Sequence, residues 1–543
     1  MMPPLPDKST KRWLIGLFLI WLGFVLVSGW SLDSGFHWDE GVQIRLVQQT
    51  VATADLLPHW YNYPSVSYWL SLASLLPHLP AALTADDAGA YLAQVTAVPS
   101  YFMSIKTIFL LTSSLAILWV GLAARAQGLS QTSSLVSTAV VATSWEVGYH
   151  LRWIAPDGIV MMWGALWILL ISRPDDKRRL HGAAVVAGLA AGTKYPAGLL
   201  LLPTMALVLL LHKPKRWLFY LPLACGLAFV VSTPGAVWDT AVFVQNIQWE
   251  IAHYAQGHYG YTIAPGLPHL WRMAQYVGLI LLAPFKPLAL FWLALAVVGV
   301  WVQWRRQRDT AVSMLLFALL YIAYFSQQQV MIVRNLLILM PFLALWVGWG
   351  AEAIWHWGRI LSADDTDGTD FSRANLFSSA LSVFQKQRNG AKEERAQRFS
   401  RKILSFAPFA PLRDIQKLVV TYLIAALLVN ASWSVYAAIT IQQRLTPEVY
   451  TAALAHFITT HPERTFHLSP RVAEALAPYG TWPNASPNKG ETVVVFALEA
   501  FPEPTDWPAN DPFLIERQFG PYEINFPYYP SWVGNDRIVL LRK

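Results

Sequence analysis

Long apolar stretches recur along the chain and are separated by shorter polar segments. A helix needs roughly 20 mostly apolar residues to cross a bilayer. On this criterion the pattern predicts about 11 transmembrane helices, with ends uncertain by a few residues. The predicted spans are 13–30, 99–124, 131–148, 153–172, 181–193, 196–212, 216–232, 270–303, 311–326, 331–350 and 418–440. The pattern therefore indicates an α-helical polytopic membrane protein.

Prolines interrupt this pattern at two places. The spans 181–193 and 196–212 are short and meet at Thr193-Lys-Tyr-Pro196, where the proline favours a break between two helices. The span 270–303 is long and carries Pro284 and Pro287, so we expect it to be bent. The first span lacks a small-residue cleavage site after it, which favours a retained helix over a signal peptide.

Composition supports the membrane assignment. Of 543 residues, 55% are hydrophobic and only 13% are charged, whereas soluble domains carry about 25% charged residues. Cys225 is the one cysteine and lies in an apolar stretch, so an intrachain disulfide is excluded and a packing role is favoured.

The net charge of +7 could suggest a nucleic-acid partner. The basic residues instead cluster between apolar stretches, as the positive-inside rule predicts, and we exclude nucleic acid. If the N-terminus is cytoplasmic, Arg125, the cluster at 173–179, the cluster at 213–216 and the cluster at 305–308 all fall on the inner side. The protein is then expected in the plasma membrane, with its C-terminal segment outside.

Two segments depart from the apolar pattern. Residues 351–416 are polar and charged, which predicts a disordered cytoplasmic insertion with a basic amphipathic helix on the inner leaflet. The last transmembrane helix follows at 417–441. Residues 442–543 read as a small extracytoplasmic α+β domain, with a helix near 447–460. Its strand-like runs are Thr492–Leu498, Phe513–Gln518 and Arg537–Leu541.

Acids, bases and aromatic residues gather on the outer side of this topology. The acidic pair Asp39-Glu40 directly follows the first span, and carboxylates at a membrane boundary are costly unless they meet water, a partner or a substrate. The other outer-side residues selected are Tyr63, Arg152, Asp157, Lys194, Tyr195, His253, His258 and Arg334. A carboxylate can act as a general base on an acceptor hydroxyl, and Lys or Arg can stabilise a departing phosphate. This combination fits glycosyl transfer from a lipid phosphate.

A family resemblance is carried by six motifs in order. They are Phe36-His-Trp-Asp-Glu40, Tyr61-Asn-Tyr-Pro-Ser-Val-Ser-Tyr-Trp-Leu70, Arg152-Trp-Ile-Ala-Pro-Asp157, Gly188-Leu-Ala-Ala-Gly-Thr-Lys-Tyr-Pro196, His253-Tyr-Ala-Gln-Gly-His-Tyr-Gly260 and Arg334-Asn-Leu-Leu-Ile-Leu-Met-Pro341. The set resembles the GT-C membrane glycosyltransferases of the dolichyl-phosphate-mannose–protein mannosyltransferase-like group. Lipid A aminoarabinose transferase belongs to the same superfamily. The resemblance covers roughly residues 10–350.

The resemblance implies a GT-C transmembrane catalytic core over residues 1–350. It implies a hexosyltransferase that uses a polyprenyl-phosphate-linked sugar, inverts configuration and works on the extracytoplasmic face. Asp39 would be the base and Glu40 its helper, Lys194 and Arg334 would hold the donor phosphate, and Asp157 would organise the site. Arg152, Tyr195, His253, His258 and Tyr63 would contact substrate.

The acceptor and the metal stay open. The acceptor could be a glycan, a lipid or a protein, although the chain lacks the inserted lumenal domain of the eukaryotic protein mannosyltransferases. Membrane lipids are expected partners. No cofactor is named by the resemblance, and a divalent metal is left open. His253 and His258 are five residues apart, which disfavours a zinc pair on one helix face.

Each residue also has a structural alternative. Asp39 could cap the following helix, and Glu40 could be a first-turn acid that interacts with the helix dipole. Asp157 could begin a helix with Arg152 as its ion partner, and Lys194 could extend toward the lipid headgroups.

Two other functions use the same features. A transporter or flippase for a lipid-linked sugar would bind the same ligand without chemistry. Such folds often contain internal repeats, and no span-level repeat is visible in this sequence. A structural subunit of a membrane complex would instead keep the acids paired and inert.

Overall fold

The protein was analysed as a computed structural model, which describes the residues 8–30, 32, 40–173, 176–257, 262–363, 412–444, 447–486, 491–496, 514–519 and 538–542. Asp39 and His258 lie outside the described residues. The insertion predicted to be disordered at 351–416 is helical at its two ends, 351–363 and 412–416, where the flanking helices continue into it. Its remaining residues, 364–411, also lie outside the described residues.

The described chain is mostly helical. The first ten described helices are α1 (Lys8–Trp30), α2 (Glu40–Thr53), α3 (Val66–Ala73), α4 (Leu79–Thr84), α5 (Ala88–Ala97), α6 (Pro99–Ala126), α7 (Gln131–Ala142), α8 (Trp145–His150), α9 (Pro156–Ile171) and α10 (Lys177–Ala191). The next are α11 (Leu201–Leu210), α12 (Trp217–Ser232), α13 (Gly235–Trp238), α14 (Thr240–Gln256), α15 (Leu267–Tyr276), α16 (Lys286–Arg306), α17 (Arg308–Ser326) and α18 (Met340–Ala363). The last are α19 (Leu412–Arg444), α20 (Pro447–Thr460) and α21 (Pro470–Leu476). Four 3-10 turns (Leu76–His78, Tyr195–Leu200, Val333–Leu339 and Ala477–Tyr479) and one π-turn (Val277–Leu281) complete the helical elements.

Within the described residues, six helical stretches are long and apolar enough to cross a membrane. They are Ser9–Trp30, Ser100–Ala126, Lys286–Arg306, Arg308–Ser326, Val333–His356 and Val420–Ile439. The shorter apolar helices are Pro156–Ile171, Tyr195–Leu210 and Trp217–Ser232. The predicted polytopic helical fold is confirmed, and the small sheet described below accompanies it.

The predicted break at Thr193–Pro196 is present, and the stretch 270–303, which was predicted to be bent, is divided into separate elements. The stretch 270–303 forms the amphipathic α15, the π-turn Val277–Leu281 and then α16, which has Pro287 in its first turn. The stretch 131–148 is also divided, because Ser144 caps a new helix, α8, through a side-chain bond from Val147 N–H.

Close helix packing depends on glycines. A Cβ on Gly299 of α16 would come within 1.7 Å of the Trp346 carbonyl oxygen on α18. A Cβ on Gly188 of α10 would come within 2.2 Å of the Cys225 carbonyl oxygen on α12. Small residues allow membrane helices to approach backbone to backbone, so each of these helix pairs packs closely at its glycine.

Helix α9 lies at the centre of the helical core. All but a few of its residues are buried, and its first turn carries Asp157. The helix packs against α6, α10 and the 3-10 turn Val333–Leu339. Lys194 follows the end of α10 and Arg334 lies at the start of that turn, so packing around α9 brings three distant sequence positions together.

The C-terminal segment contains a separate apolar core under a sheet. Five strands are described, β1 (Phe466–Leu468), β2 (Ala485–Ser486), β3 (Thr492–Phe496), β4 (Leu514–Phe519) and β5 (Ile538–Arg542). Their order is β2-β1-β3-β5-β4; β1 pairs parallel with β2 and β3, and β5 pairs antiparallel with β3 and β4. Helix α20 and the three longer strands lie where the sequence predicted them, whereas β1 and β2 were not predicted.

Candidate functional site

A buried ion cluster joins three separate elements. Lys194 Nζ donates to Asp157 Oδ1 at 2.7 Å, and Arg334 Nε lies 3.2 Å from Asp157 Oδ2. All three residues are at most 4% exposed. Two cations share one carboxylate, so these three side chains carry a net charge of +1. We call Asp157, Lys194 and Arg334 the charge cluster.

Local sequence explains why these side chains meet. Pro156 begins α9, so Asp157 lies in the first turn, where a helix dipole favours a carboxylate. Helix α10 ends before Lys194, which has an extended backbone and precedes the turn that begins with Tyr195-Pro196. Arg334 lies at the start of another 3-10 turn. The cluster therefore forms where the first turn of α9 meets two places at which the helices are interrupted.

Polar and aromatic neighbours complete the cluster. Lys194 Nζ also donates to the Asn335 side-chain oxygen, and Asn335 Nδ2 donates to the Tyr254 hydroxyl at 3.3 Å. Lys194 Nζ lies 5.8 Å from the centre of the Tyr63 ring, and Arg334 contacts the Tyr63 hydroxyl at 3.5 Å. Asn335 was not selected from the sequence, although a polar pair at the head of an apolar span was a usable signal.

A cavity of about 460 Å³ opens beside the charge cluster. Its lining residues are Trp60, Asn62, Tyr63, Gln245, Asn246, Trp249, Glu250, His253, Tyr254, Ile332 and Arg334. Trp249 and His253 stack in parallel, with ring centres 5.0 Å apart. Aromatic faces combined with a few amides and charges are typical of a small-ligand site. Arg334 connects this cavity to the charge cluster.

The segment that contains Trp60 and Tyr63 is held against the helices behind it. Tyr61 N–H donates to the Asn246 side-chain oxygen at 2.6 Å, and the Tyr195 hydroxyl donates to the Tyr61 carbonyl at 2.6 Å. Tyr61 is fully buried. Its ring packs so closely against Gly235 that a Cβ on that glycine would come within 2.1 Å of the ring. Tyr195 therefore positions the cavity wall through Tyr61.

Comparison with solved structures finds this arrangement of elements in another protein. The chain is similar to ArnT from Cupriavidus metallidurans in the apo state, with a TM-score of 0.52 and 12% identity over 98% of each chain. The chain has an ArnT-like GT-C fold. The fold expected from the sequence motifs is therefore confirmed.

Two further structures resemble the GT-C fold of this chain. ArnT from the same organism bound to undecaprenyl phosphate gives a TM-score of 0.48 at 12% identity and 98% coverage of each chain. An oligosaccharyltransferase complex with Zn and sulfate from Archaeoglobus fulgidus gives 0.40 at 12% identity, over 87% of this chain and 58% of that one. No protein-family model matches the chain, and no curated protein does.

Glu40 begins α2 of the GT-C fold and is fully buried. Its Oε1 lies 3.5 Å from Lys106 Nζ and accepts a hydrogen bond from Ile154 N–H at 3.0 Å. Lys106 is also fully buried, with its ammonium group 4.8 Å from the centre of the Trp153 ring. Sequence reasoning missed Lys106, although a lone lysine inside the span 99–124 was a clear signal because intramembrane charges are rare.

Arg152 and His253 occupy different positions in the GT-C fold. Arg152 is buried, and its Nε donates to the Gly148 carbonyl at 3.1 Å, whereas the carboxylate of Asp157 has Lys194 and Arg334 as partners. The suggested Arg152–Asp157 pair is thus replaced by two other cations. His253 lines the cavity. Among the described residues, no group of three or more His, Cys, Asp or Glu side chains is arranged to hold a metal ion.

His59 links two segments of the GT-C fold that are distant in sequence. Its Nδ1 lies 2.7 Å from Asp239 Oδ2 and its Nε2 lies 2.9 Å from Asp55 Oδ2. Hydrogen bonds to Asp55 and then Asp239 raise the pKa of His59, and the bond to His59 lowers the pKa of Asp55. His59 therefore joins the segment before the cavity wall to the start of α14.

The His59 linkage predicts a pH-dependent stability. A raised native pKa stabilises the fold fully below the unfolded histidine value near 6.5, and this contribution is lost as pH rises through the native pKa. The lowered pKa of Asp55 adds stability above its ordinary value near 3.8, which is lost on further acidification. We expect His59→Gln to lower the thermal midpoint most between about pH 4.5 and 6.5, and less at pH 9.

His212→Gln is the matched control for this measurement. His212 is exposed and has φ +50°, close to the +49° of His59, and no carboxylate partner of His212 is found in the described parts of the chain. Both variants place glutamine in the same left-handed conformation, so their backbone strain cancels. Equal pH profiles for the two variants would contradict the His59 linkage.

Proposed function

We propose that this protein is a membrane glycosyltransferase that moves a sugar from a polyprenyl-phosphate donor to an acceptor hydroxyl on the extracytoplasmic face. The observation that carries the proposal is the charge cluster beside an aromatic cavity. The GT-C fold and the ordered motifs in the first 350 residues also support it.

The charge cluster suits the phosphate of such a donor. A sugar phosphodiester carries one negative charge, and the departing polyprenyl phosphate gains a second as the sugar–oxygen bond breaks. The net charge of +1 on the cluster can stabilise that increase, because fixed cations in a buried site act most strongly where charge develops. Arg334 lines the cavity and is the member that can present its planar fork to phosphate oxygens.

The cavity suits the sugar. Its volume of about 460 Å³ accommodates a monosaccharide, and its walls combine Trp60, Tyr63 and Trp249 with the polar Asn246 and Glu250. Aromatic faces can pack against the apolar C–H face of a sugar ring, while amides and carboxylates bond its hydroxyls. Tyr63 contacts both cations of the charge cluster, so sugar and phosphate seats are adjacent.

Asp39 is the proposed base. The acceptor oxygen forms a bond to the anomeric carbon, its proton passes to the Asp39 carboxylate, and the bond from that carbon to the phosphate oxygen breaks. A single displacement of this kind inverts configuration. Glu40, the next residue in the chain, accepts a hydrogen bond from the N–H of Ile154, three residues before Asp157.

Arg334→Gln tests the phosphate seat. Losing one charge-assisted hydrogen bond costs about 1.5–3 kcal/mol, so the KM for the donor should rise by roughly 10- to 100-fold. The assay uses the purified chain in proteoliposomes with labelled polyprenyl-phosphate hexoses and pentoses and an envelope acceptor fraction. Release of free polyprenyl phosphate is measured because it is independent of the acceptor's identity.

Arg272→Gln is the control for charge removal, because Arg272 is exposed on α15 and does not line the cavity. Arg334→Lys should recover part of the donor affinity by restoring the charge. A lipid-linked sugar transporter would move the intact donor between leaflets and release no polyprenyl phosphate. That result with the wild-type protein would overturn the proposal.

A further inference from the structure

A second cavity lies between the N-terminal ends of α10 and α12. Its volume is about 600 Å³, and it is lined by Arg178, His181, Arg216, Trp217 and Tyr220. Two arginines and a histidine therefore surround a concave surface that also contains two aromatic rings.

This cavity is remote from the charge cluster. Helix α10 has 15 residues and so extends about 22 Å, with Arg178 near its start and Lys194 just beyond its end. Helix α12 likewise begins at the second cavity. It ends at Ser232, whose carbonyl accepts a hydrogen bond from Trp69, near the wall of the first, aromatic cavity. In the topology expected from the sequence, the second cavity faces the cytoplasm.

The two arginines are available to a ligand. Both are exposed, and within the described residues neither guanidinium forms an ion pair with a carboxylate. The nearby Asp176 caps α10 through the backbone N–H of Arg178 and pairs with Arg179 at 3.7 Å. No aspartate or glutamate appears among the described residues that line the cavity.

Two of the rings that line the second cavity contact each other. Trp217 is largely buried, and its ring meets His181 edge-on with centres 5.4 Å apart. The two arginines come from helices that pack backbone to backbone at Gly188, so their separation is constrained. Paired arginines on a rigid frame suit the oxygens of a phosphate group.

An apolar stripe runs along α12 from this cavity. Phe219, Leu223, Leu227 and Val231 are spaced by four residues and lie on one helix face. Their exposed fractions are 67%, 47%, 58% and 77%. A molecule that combines an anionic head with a hydrocarbon chain would match the arginines and the stripe together.

We propose that this cavity binds the phosphate headgroup of an anionic phospholipid through Arg178 and Arg216, with an acyl chain along the stripe of α12. Basic pockets at the cytoplasmic ends of membrane helices favour such headgroups. The inference does not depend on the proposed transferase activity.

The test measures lipid binding by native mass spectrometry of the detergent-purified full chain. Phosphatidylglycerol should bind the double variant Arg178→Gln/Arg216→Gln about tenfold or more weakly than the wild type. The matched control is Arg305→Gln/Arg308→Gln, which removes two arginines that contact Trp301 and Trp304 at another helix junction. This control should retain wild-type affinity.

Three comparisons could overturn the inference. Equal loss of phosphatidylglycerol in both double variants would indicate a general charge effect. Equal binding of phosphatidylcholine would indicate unselective lipid contact. Binding of inorganic phosphate or glycerol 3-phosphate as strong as that of phosphatidylglycerol would indicate a free-phosphate site. The proposal expects phosphatidylglycerol to bind more tightly than any of these ligands.

Discussion

Asp39→Asn should lower kcat for sugar transfer by about 10²- to 10⁴-fold, the range associated with loss of a general base. The substitution is nearly isosteric and removes the negative charge of the carboxylate together with its ability to accept a proton. Donor KM should change little, because the phosphate and sugar seats proposed above do not use Asp39. The measurement is initial-rate release of polyprenyl phosphate with varied donor concentration.

This substitution also separates catalysis from helix capping. Asp39 immediately precedes α2, which begins at Glu40, and asparagine caps a helix about as well as aspartate. Asp39→Asn should therefore leave the thermal midpoint unchanged. Asp86→Asn is the control, because Asp86 is an exposed acid in the connection between α4 and α5. Wild-type kcat in Asp39→Asn would exclude Asp39 as the base.

Asp157→Ala should destabilise the protein by about 3–5 kcal/mol, because it leaves two buried cations facing each other without a counter-charge. Lys194 lies 2.7 Å and Arg334 3.2 Å from this carboxylate, and all three side chains are nearly inaccessible to water. The free energy of unfolding would be measured by denaturant titration in mixed micelles.

A second measurement, made with added polyprenyl phosphate, distinguishes a phosphate-binding site from a purely structural ion pair. Asp157→Asn keeps the shape of the side chain but also removes its charge, and it remains measurable if the alanine variant does not fold. Polyprenyl phosphate should raise the thermal midpoint of Asp157→Asn more than that of the wild type, because its anionic phosphate can replace the lost carboxylate. Asp86→Ala is the control and should behave as the wild type. An absence of ligand stabilisation in both Asp157→Asn and the wild type would contradict the phosphate seat.

Local rules predicted many of the individual elements. Proline placement anticipated the end of α10 before Lys194, and it indicated a bend in the stretch 270–303, which the structure divides into separate elements. Short strand-like runs anticipated β3, β4 and β5. The strands β1 and β2 are only three and two residues long, so their existence depends on pairing with β3 rather than on their own pattern.

Pairing between charges was much harder to predict. Lys194 and Arg334 were selected separately as phosphate ligands, and Arg152 was considered as the partner of Asp157. The structure pairs Asp157 with both of the distant cations, and it pairs Glu40 with Lys106. A buried charge requires a counter-charge, but that requirement does not state which of several charges satisfies it.

The sequence by itself determined the apolar helices, the break before Lys194 and the set of ionisable residues that must find partners, because hydrophobic length and proline chemistry are local properties. Only the tertiary structure decided the charge cluster, since its members are separated by up to 177 positions and meet through packing around α9. It also decided the position of the aromatic cavity and of the second basic cavity. Those positions depend on how closely the helices approach, which is determined by side-chain packing across the whole core.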